Sequence, residues 1–380
     1  MTDPAPLRDA RLGRLRAAME AAGHDALVLT AAGAIRYATG SVPPHAESSG
    51  EAARPFAAVV TSRTVHVLGV DAECVPTGVE AMPFPRAPAR AAAALAERLG
   101  GARRVGADRL PYAVADALGR LLPGVVLEGA DATVLSARAV KTPEEIALLA
   151  EAQRRNEAGI ADVLPSILPG VRENELGGRF LGAMAERDVT ACHVEPIFCV
   201  VPRHAAEAPW AFPGSLPYRE LPSDRALVRG DQVMIDTGML HAGYMSDFGC
   251  TWPCGGEPSA ADRRLRARWS EIVDAVLGAC RPGATAAALH RTARAAHGGD
   301  RPAPWPVPLY LAHGIGIGGV EPPFIGTDLG LDTEETMVLA PGMVLVLEPY
   351  VWEEGAGGYR AEQTIVVTET GFAPLSALPP

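Results

Sequence analysis

The strongest constraint on this chain is a set of carboxylates embedded in apolar runs. Asp236 lies near the end of QVMIDTGML, Glu348 closes MVLVLEPY, and Glu362 opens the run in YRAEQTIVVT. Short apolar runs bounded by turn residues read as buried strands. A carboxylate held in such a strand is costly unless it is paired or bound to a metal. Asp247, in GYMSDFGCTW, follows Asp236 on what reads as the next strand of a hairpin turning around His241 to Gly243. Side chains on adjacent strands can share one face, which suits a shared cation. Taken alone, an Asp before a turn and an Asp capping one is the ordinary reading of this pair. His313, in YLAHGIGIGGVEPP, adds an imidazole, and the glycines after it let the backbone pass close to a ligand or another strand. Four carboxylates and one imidazole make a cage for manganese, iron(II), cobalt or zinc, and two ions can share bridging carboxylates.

The rest of the chain supplies a scaffold. Its 380 residues suggest two domains. With 48% hydrophobic and 21% charged residues it reads as globular rather than disordered. A net charge of -11 argues against a dedicated nucleic-acid binder, which carries a basic stripe. No apolar stretch approaches the roughly 20 residues of a membrane span. The N-terminus, MTDPAPLRDARLGRLRAAMEAAG, has the pattern of an amphipathic helix and not of a signal peptide, so the expectation is a cytoplasmic protein. The six cysteines are scattered, without the spacing of a disulfide framework. Cys250 and Cys254 have the spacing of a zinc pair but lack a second pair, so they read as packing thiols.

The first third alternates helix and strand, an α/β pattern, with Ser62-Arg63 joining two strands as a hairpin. A new pattern begins at VLSARAVKTPEEIALLAEA, where Thr142, Pro143, Glu144 and Glu145 mark a helix start. The expected boundary is therefore near residue 135, giving domains 1–135 and 136–380. From about residue 190 the chain becomes mostly strand-like, with helices expected near 259–280 and 284–297.

The order of these motifs is itself distinctive. Asp236 in IDTG, Asp247 in GYMSDF, His313 in HGIGIGGVEPP, Glu348 in PGMVLVLEP and Glu362 in GYRAEQTIVVTETG resemble the pita-bread metallopeptidase family, which includes aminopeptidase P, prolidase, methionine aminopeptidase and the metal-free creatinase. RLGRLRAAMEAAGHDALVLTAAGAIRYATG looks like the family's creatinase-type N-terminal domain, and AVKTPEEIALLAEA looks like its inter-domain helix. The resemblance implies a small α/β N-terminal domain followed by a C-terminal α+β pita-bread domain, and two divalent ions. Asp236 and Asp247 would hold one ion; Asp247, His313, Glu348 and Glu362 would hold the other. A water between them would be the nucleophile, and Glu348 would carry its proton towards the leaving amine. Arg360 resembles an arginine that braces a ligand carboxylate, and Thr251 stands beside the second ligand strand. Two-domain relatives further imply a homodimer.

The sequence departs from that family where substrate is handled. The histidine usually found eleven residues before the Gly-Asp pair, here Gly230-Asp231, is Arg219. The one seven residues after the metal histidine is Val320, and the one four before it is Leu309. Such donors can each be worth about 10²-fold in rate. The arginine expected before Thr251 is Cys250. Tyr218, Arg219, Val320, Trp210 and His204 are the candidates for the substrate wall. His193 and Glu195 also lie in the loop region before the ligand strands, and His204 reads more simply as a solvated loop residue. The expected function is metal-dependent hydrolysis of an amide bond in a small peptide or amino-acid derivative. The alternatives are a lyase of the kind that cleaves dimethylsulfoniopropionate, a small-molecule amidohydrolase, or an inert binding module.

Overall fold

The computed structural model describes residues 3–41, 56–69, 75–189, 191–208, 219, 221–297, 311–327 and 329–378. The chain divides into two compact units, Met1–Thr142 and Pro143–Pro380.

The first unit alternates α1 (Ala5–Ala21), β1 (Ala26–Leu29), α2 (Ala32–Thr39), β2 (Ala57–Thr61), β3 (Val65–Leu68), β4 (Glu80–Met82), α3 (Pro88–Arg98), β5 (Arg104–Ala107), α4 (Tyr112–Leu121), β6 (Val126–Gly129) and α5 (Asp131–Ala139). Leu7, Leu12, Leu15 and Met19 recur at helical spacing and form the buried face of α1. The strands make one mixed sheet in the order β4-β3-β2-β1-β5-β6. The β2–β3 hairpin turns at Ser62-Arg63, with Val60 opposite Val65. Residue 135 falls inside α5, and the first compact unit runs on past that helix to Thr142.

The second unit begins with α6 (Pro143–Val163), whose first turn carries Glu144 and Glu145 at the positive end of the helix dipole. It continues with α7 (Glu173–Ala185), β7 (Ala191–Val200), β8 (Gln232–His241), β9 (Tyr244–Met245), β10 (Phe248–Pro253), α8 (Ala260–Ala279) and α9 (Ala286–Ala296). After these come β11 (Ala312–Gly316), β12 (Gly319–Ile325), α10 (Leu331–Glu335), β13 (Val344–Leu347), β14 (Tyr350–Glu353), β15 (Gly357–Arg360), β16 (Gln363–Val367) and β17 (Phe372–Pro374). Ser259 and Asp262 form a capping box that starts α8. One sheet runs β10-β8-β7, with β9 paired to β8; another runs β12-β11-β13-β16-β17; β14 and β15 form a ribbon. A large apolar core joins helices and sheets, from Ile160 and Phe180 on α6 and α7 through Ile235 on β8 and Trp269 on α8 to Leu345 and Ile365 on β13 and β16, and a smaller cluster gathers Ile197, Met234 and Trp352. Among the described residues, no helix is long and apolar enough to cross a membrane.

Candidate metal centre

Each candidate ligand is placed by an apolar strand or a strand end. Asp236 lies in β8, opposite Gly249 of β10. The hairpin turns at Ala242 and Gly243, both at positive φ, and Asp247 sits in the break between β9 and β10 rather than in a strand. His241, at that turn, is half-buried. His313 lies on β11 opposite Val346 of β13. Glu348 follows β13, and Glu362 lies between β15 and β16. All five side chains are buried.

Asp236, Asp247 and Glu362 bring carboxylate oxygens within 4.8 Å of one another. His313 Nε2 lies 3.3 Å from Asp247 Oδ2 and 3.1 Å from Glu348 Oε1. On the far side of the ring, Nδ1 is 3.0 Å from the carbonyl of Gly314, so Nδ1 donates there and Nε2 faces the carboxylates. Arg360 enters the same cluster. Its Nη1 is 2.7 Å from Asp236 Oδ2 and 2.8 Å from Glu362 Oε1, and its Nη2 bonds Glu348 Oε2.

The supports come from neighbouring elements. Thr251 Oγ1 donates to the Arg360 carbonyl at 2.7 Å and accepts from the Arg360 amide at 3.1 Å. Thr364 donates to the Asp247 carbonyl. From α6, Gln153 Oε1 accepts the Asp247 amide and Asn156 Nδ2 donates to the Thr237 carbonyl. Gly249 clears space for Glu362, because a Cβ there would lie 2.7 Å from Oε1.

The electrostatics are those of crowded, buried acids. Burial pushes the Asp247 carboxyl up to about 6, with Asp236 and Glu348 adding to the rise and His313 opposing it. Burial, then the charges of Asp236 and Asp247, raise Glu362 well above the usual carboxylate range. Burial also penalises Glu348, but the Arg360 and His313 charges outweigh it and the carboxyl stays low. Burial opposes the charged form of His313, yet Glu348 and Asp247 raise it well above its ordinary value. Glu362 is fully buried, and neither of its oxygens receives a hydrogen bond of proper geometry; the same holds for Glu348 Oε1. Unsatisfied buried carboxylate oxygens are expensive without a cation to take their lone pairs.

The candidates for the substrate wall fare differently. Arg219 is not free to meet a ligand: Nη1 and Nη2 lie 2.6 and 2.8 Å from the two oxygens of Glu173, a fully buried carboxylate at the start of α7. His204 is exposed and its Nδ1 lies 2.7 Å from Glu354 Oε1, so it belongs to a surface pair instead of the cluster. Val320 is exposed on β12, opposite Ile315. Tyr218, Trp210 and Leu309 lie outside the described residues, as does the side chain of Glu195. Cys250 and Cys254 are buried in the core, and burial, then the Glu362 charge, pushes the Cys250 thiol up to about 12.

Sequence reasoning missed Gln153, Asn156, Glu173 and Gly249. Gln153 and Asn156 did carry a signal: they are polar residues on the face of α6 that also presents Leu149, Ala152 and Ile160 to the core. His193, read from the sequence as lying in a loop, lies instead on β7. It is exposed at the surface beside Gly319, and partial desolvation, followed by the charge of His313, lowers its pKa.

Comparison with known proteins identifies relatives of this chain. YqhT, an uncharacterised peptidase of Bacillus subtilis, is 30% identical over 250 residues, spanning 64% of this chain and 63% of that protein. The Xaa-Pro dipeptidase of Pyrococcus furiosus is 29% identical over 250 residues, 65% of each chain. The match thus spans just under two thirds of these relatives' lengths. The structure of the prolidase from Pyrococcus horikoshii superposes with a TM-score of 0.77 at 21% identity, covering 97% of this chain and 98% of that one, a likeness of fold. Residues 11–140 match the creatinase/prolidase N-terminal domain. Residues 147–369, more than half of the chain, match metallopeptidase family M24, and the chain belongs to that family.

Proposed function

We propose that this protein is a hydrolase that cleaves the amide bond of a short peptide or amino-acid derivative, using two divalent ions held by Asp236, Asp247, His313, Glu348 and Glu362. The observation that carries this reading is Glu362, fully buried and grouped with Asp236 and Asp247, with Arg360 Nη1 2.8 Å from Oε1 but no hydrogen bond of proper geometry at either oxygen. Hard oxygen donors and one imidazole suit manganese, iron(II), cobalt or zinc. Bound divalent ions supply Lewis acidity, polarising a carbonyl and lowering the pKa of water.

The protein's own groups then have distinct tasks. Arg360 holds Oε2 of Glu348, leaving Oε1 as the atom that accepts a proton from the attacking water and returns it to the leaving nitrogen. Thr251 fixes the Arg360 backbone, so the brace keeps its aim. We further propose that the protein works in the cytoplasm as a homodimer.

One observation favours a second reading. Arg219 is bonded to Glu173 and Val320 is apolar, so neither position offers a hydrogen bond to a tetrahedral intermediate. A lyase of the dimethylsulfoniopropionate type needs a base and no such donor. The test is mass-spectrometric turnover by manganese-loaded protein in ¹⁸O-labelled water, with Xaa-Pro dipeptides and tripeptides, acylated amino acids and dimethylsulfoniopropionate as substrates. Amide cleavage with label uptake, lost in Glu348→Gln, is the expected result. An alkene product without label, or full activity in Glu348→Gln, overturns the hydrolase mechanism.

A further inference from the structure

Two of the positions considered for the substrate wall, 219 and 320, provide no imidazole, and Arg219 is committed to Glu173. One imidazole nevertheless lies near the centre. His193 comes from β7, which pairs with β8, the strand of Asp236. Its ring packs on the backbone of Gly319, the residue before Val320 at the start of β12. A Cβ at residue 319 would fall 2.6 Å from His193 Cε1 and 3.0 Å from Nε2. Glycine at 319, at φ 146°, leaves this space open for the ring. Gly319 pairs with Gly316 of β11, the strand that carries His313. The His193 ring is exposed, and no hydrogen bond or ion pair from another described residue engages it. The other histidines near these strands differ: His204 is paired with Glu354, and His241 is at the β8–β9 turn.

We propose that His193 is the substrate-contacting imidazole of this centre, donating a hydrogen bond to a carbonyl or carboxylate oxygen of the substrate. The inference rests on the hydrolase reading above. The imidazole reaches the rim of the centre from the neighbouring sheet, beside the hairpin position that carries valine. A ring seated on glycine presents its nitrogens without the rotamer freedom of a long side chain, so little order is lost when it meets an oxygen. The donor serves both binding and the developing negative charge, so its loss acts on kcat as well as on KM.

The experiment compares His193→Ala, His193→Gln and the wild type as full-length, manganese-loaded protein. Three quantities are read: kcat and KM for the best amide substrate, the affinity for a phosphinic dipeptide analogue, and manganese affinity by calorimetry. For His193→Ala the expected result is a fall in kcat/KM of about 10- to 100-fold. Analogue binding should weaken by at least about tenfold, as expected for a lost hydrogen bond to a charged group, with manganese affinity unchanged. His193→Gln, which keeps a donor, should recover part of both losses. Retention of kcat/KM and analogue affinity within about twofold in His193→Ala, a span under 0.5 kcal/mol, overturns the proposal. Loss of manganese binding in that variant also overturns it, since the residue would then support the metal site. Failure of the hydrolase reading looks different: the wild type cleaves no amide, while a weaker grip of His193→Ala on the analogue still supports the contact. If the wild type binds no analogue either, both readings fall.

Discussion

Glu173 and Glu362 are the same residue type, both fully buried, and the protein treats them in opposite ways. Glu173 accepts from the Val200 amide at 2.8 Å, from both terminal nitrogens of Arg219, and from the amide and hydroxyl of Ser223. Burial alone would raise its pKa, but the hydrogen bonds from Arg219, Val200 and Ser223 outweigh it and the carboxyl is held low. At Glu362 burial acts in the same direction, and the charges of Asp236 and Asp247 add to it by more than Arg360 opposes, so the carboxyl is pushed up. The desolvation cost is common to both; the partners decide its outcome. Glu173 ties α7 to the end of β7 and to the segment of Arg219. Glu362 has Arg360 Nη1 2.8 Å from Oε1 and still keeps lone pairs that a metal ion would take.

Substitution should separate the two most sharply through activity. Glu362→Gln and Asp236→Ala are each expected to lower turnover by more than about 100-fold, since even partners of metal ligands cost 10- to 100-fold. In the metal-free protein Glu362→Gln should leave the melting temperature unchanged or raise it, because the amide stays neutral in a buried acidic cluster that already disfavours the carboxylate. Manganese, which should stabilise the wild type by about 2.7 kcal/mol at a hundred times its dissociation constant, should no longer stabilise this variant. Differential scanning calorimetry with and without manganese checks both signs. A metal-dependent shift in Glu362→Gln equal to that of the wild type would remove Glu362 from the ligand set.

Glu173→Gln should behave in reverse. Breaking a buried pair leaves Arg219 without its counter-charge, at a cost of about 3–5 kcal/mol, whatever the manganese concentration. The pH dependence has a definite sign. A carboxyl held low in the folded state adds stability above its unfolded value, and that stability is lost as pH falls through the folded one. Chemical denaturation of the wild type and Glu173→Gln should therefore converge in acid. An equal gap between them well below pH 4 would show that Glu173 acts by shape rather than by charge.

Glu362 was legible in the sequence and Glu173 was not, for a physical reason. Asp236, Glu348 and Glu362 interrupt apolar strands, where a charge stands out against its neighbours. Glu173 sits in a polar helix start, ENELGG, where an acid is expected at the dipole and nothing announces burial. Its partner Arg219 lies 46 residues away, a pairing that periodicity does not carry. The helices read from caps and apolar spacing fell where expected, including α8 and α9, whereas α2 and α10 were not read. Helix α5 was missed because DATVLSARA has only a short apolar face, and its docking in the first unit decides its state. At the centre the strands could be read from local pattern. The contacts of His193 with Gly319, and of Gln153 with Asp247, depend on how the sheets and α6 pack.

The comparison also predicts how the two sites respond to acid. Asp247, pushed up to about 6, must lose its proton before a cation binds. His313 and Glu362, both raised, add to the protons released. Manganese affinity should therefore fall as pH drops from 7 to 5, by about tenfold for a single proton centred near 6. Without metal the sign for Asp247 is the converse of that for Glu173. The group stabilises the fold at low pH and loses that contribution as pH rises through about 6. Calorimetric titration at pH 5, 6 and 7 tests this, and a pH-independent dissociation constant would mean that Asp247 is already ionised in the metal-free protein.

The smallest effect should come from Thr251. Its hydroxyl donates to the Arg360 carbonyl and accepts from the Arg360 amide, a two-way tie between β10 and β15. Thr251→Val keeps the shape and removes both bonds, at about 1 kcal/mol each at most. The guanidinium of Arg360 should then aim less well at Asp236 and Glu348, and manganese affinity should fall by about tenfold or less. Because Glu348 depends on Arg360 to hold Oε2, kcat should fall more than KM rises. A Thr251→Val enzyme with wild-type kcat and weakened manganese binding would show that the tie serves the ligands through the strand alone, and that Arg360 keeps its aim without it.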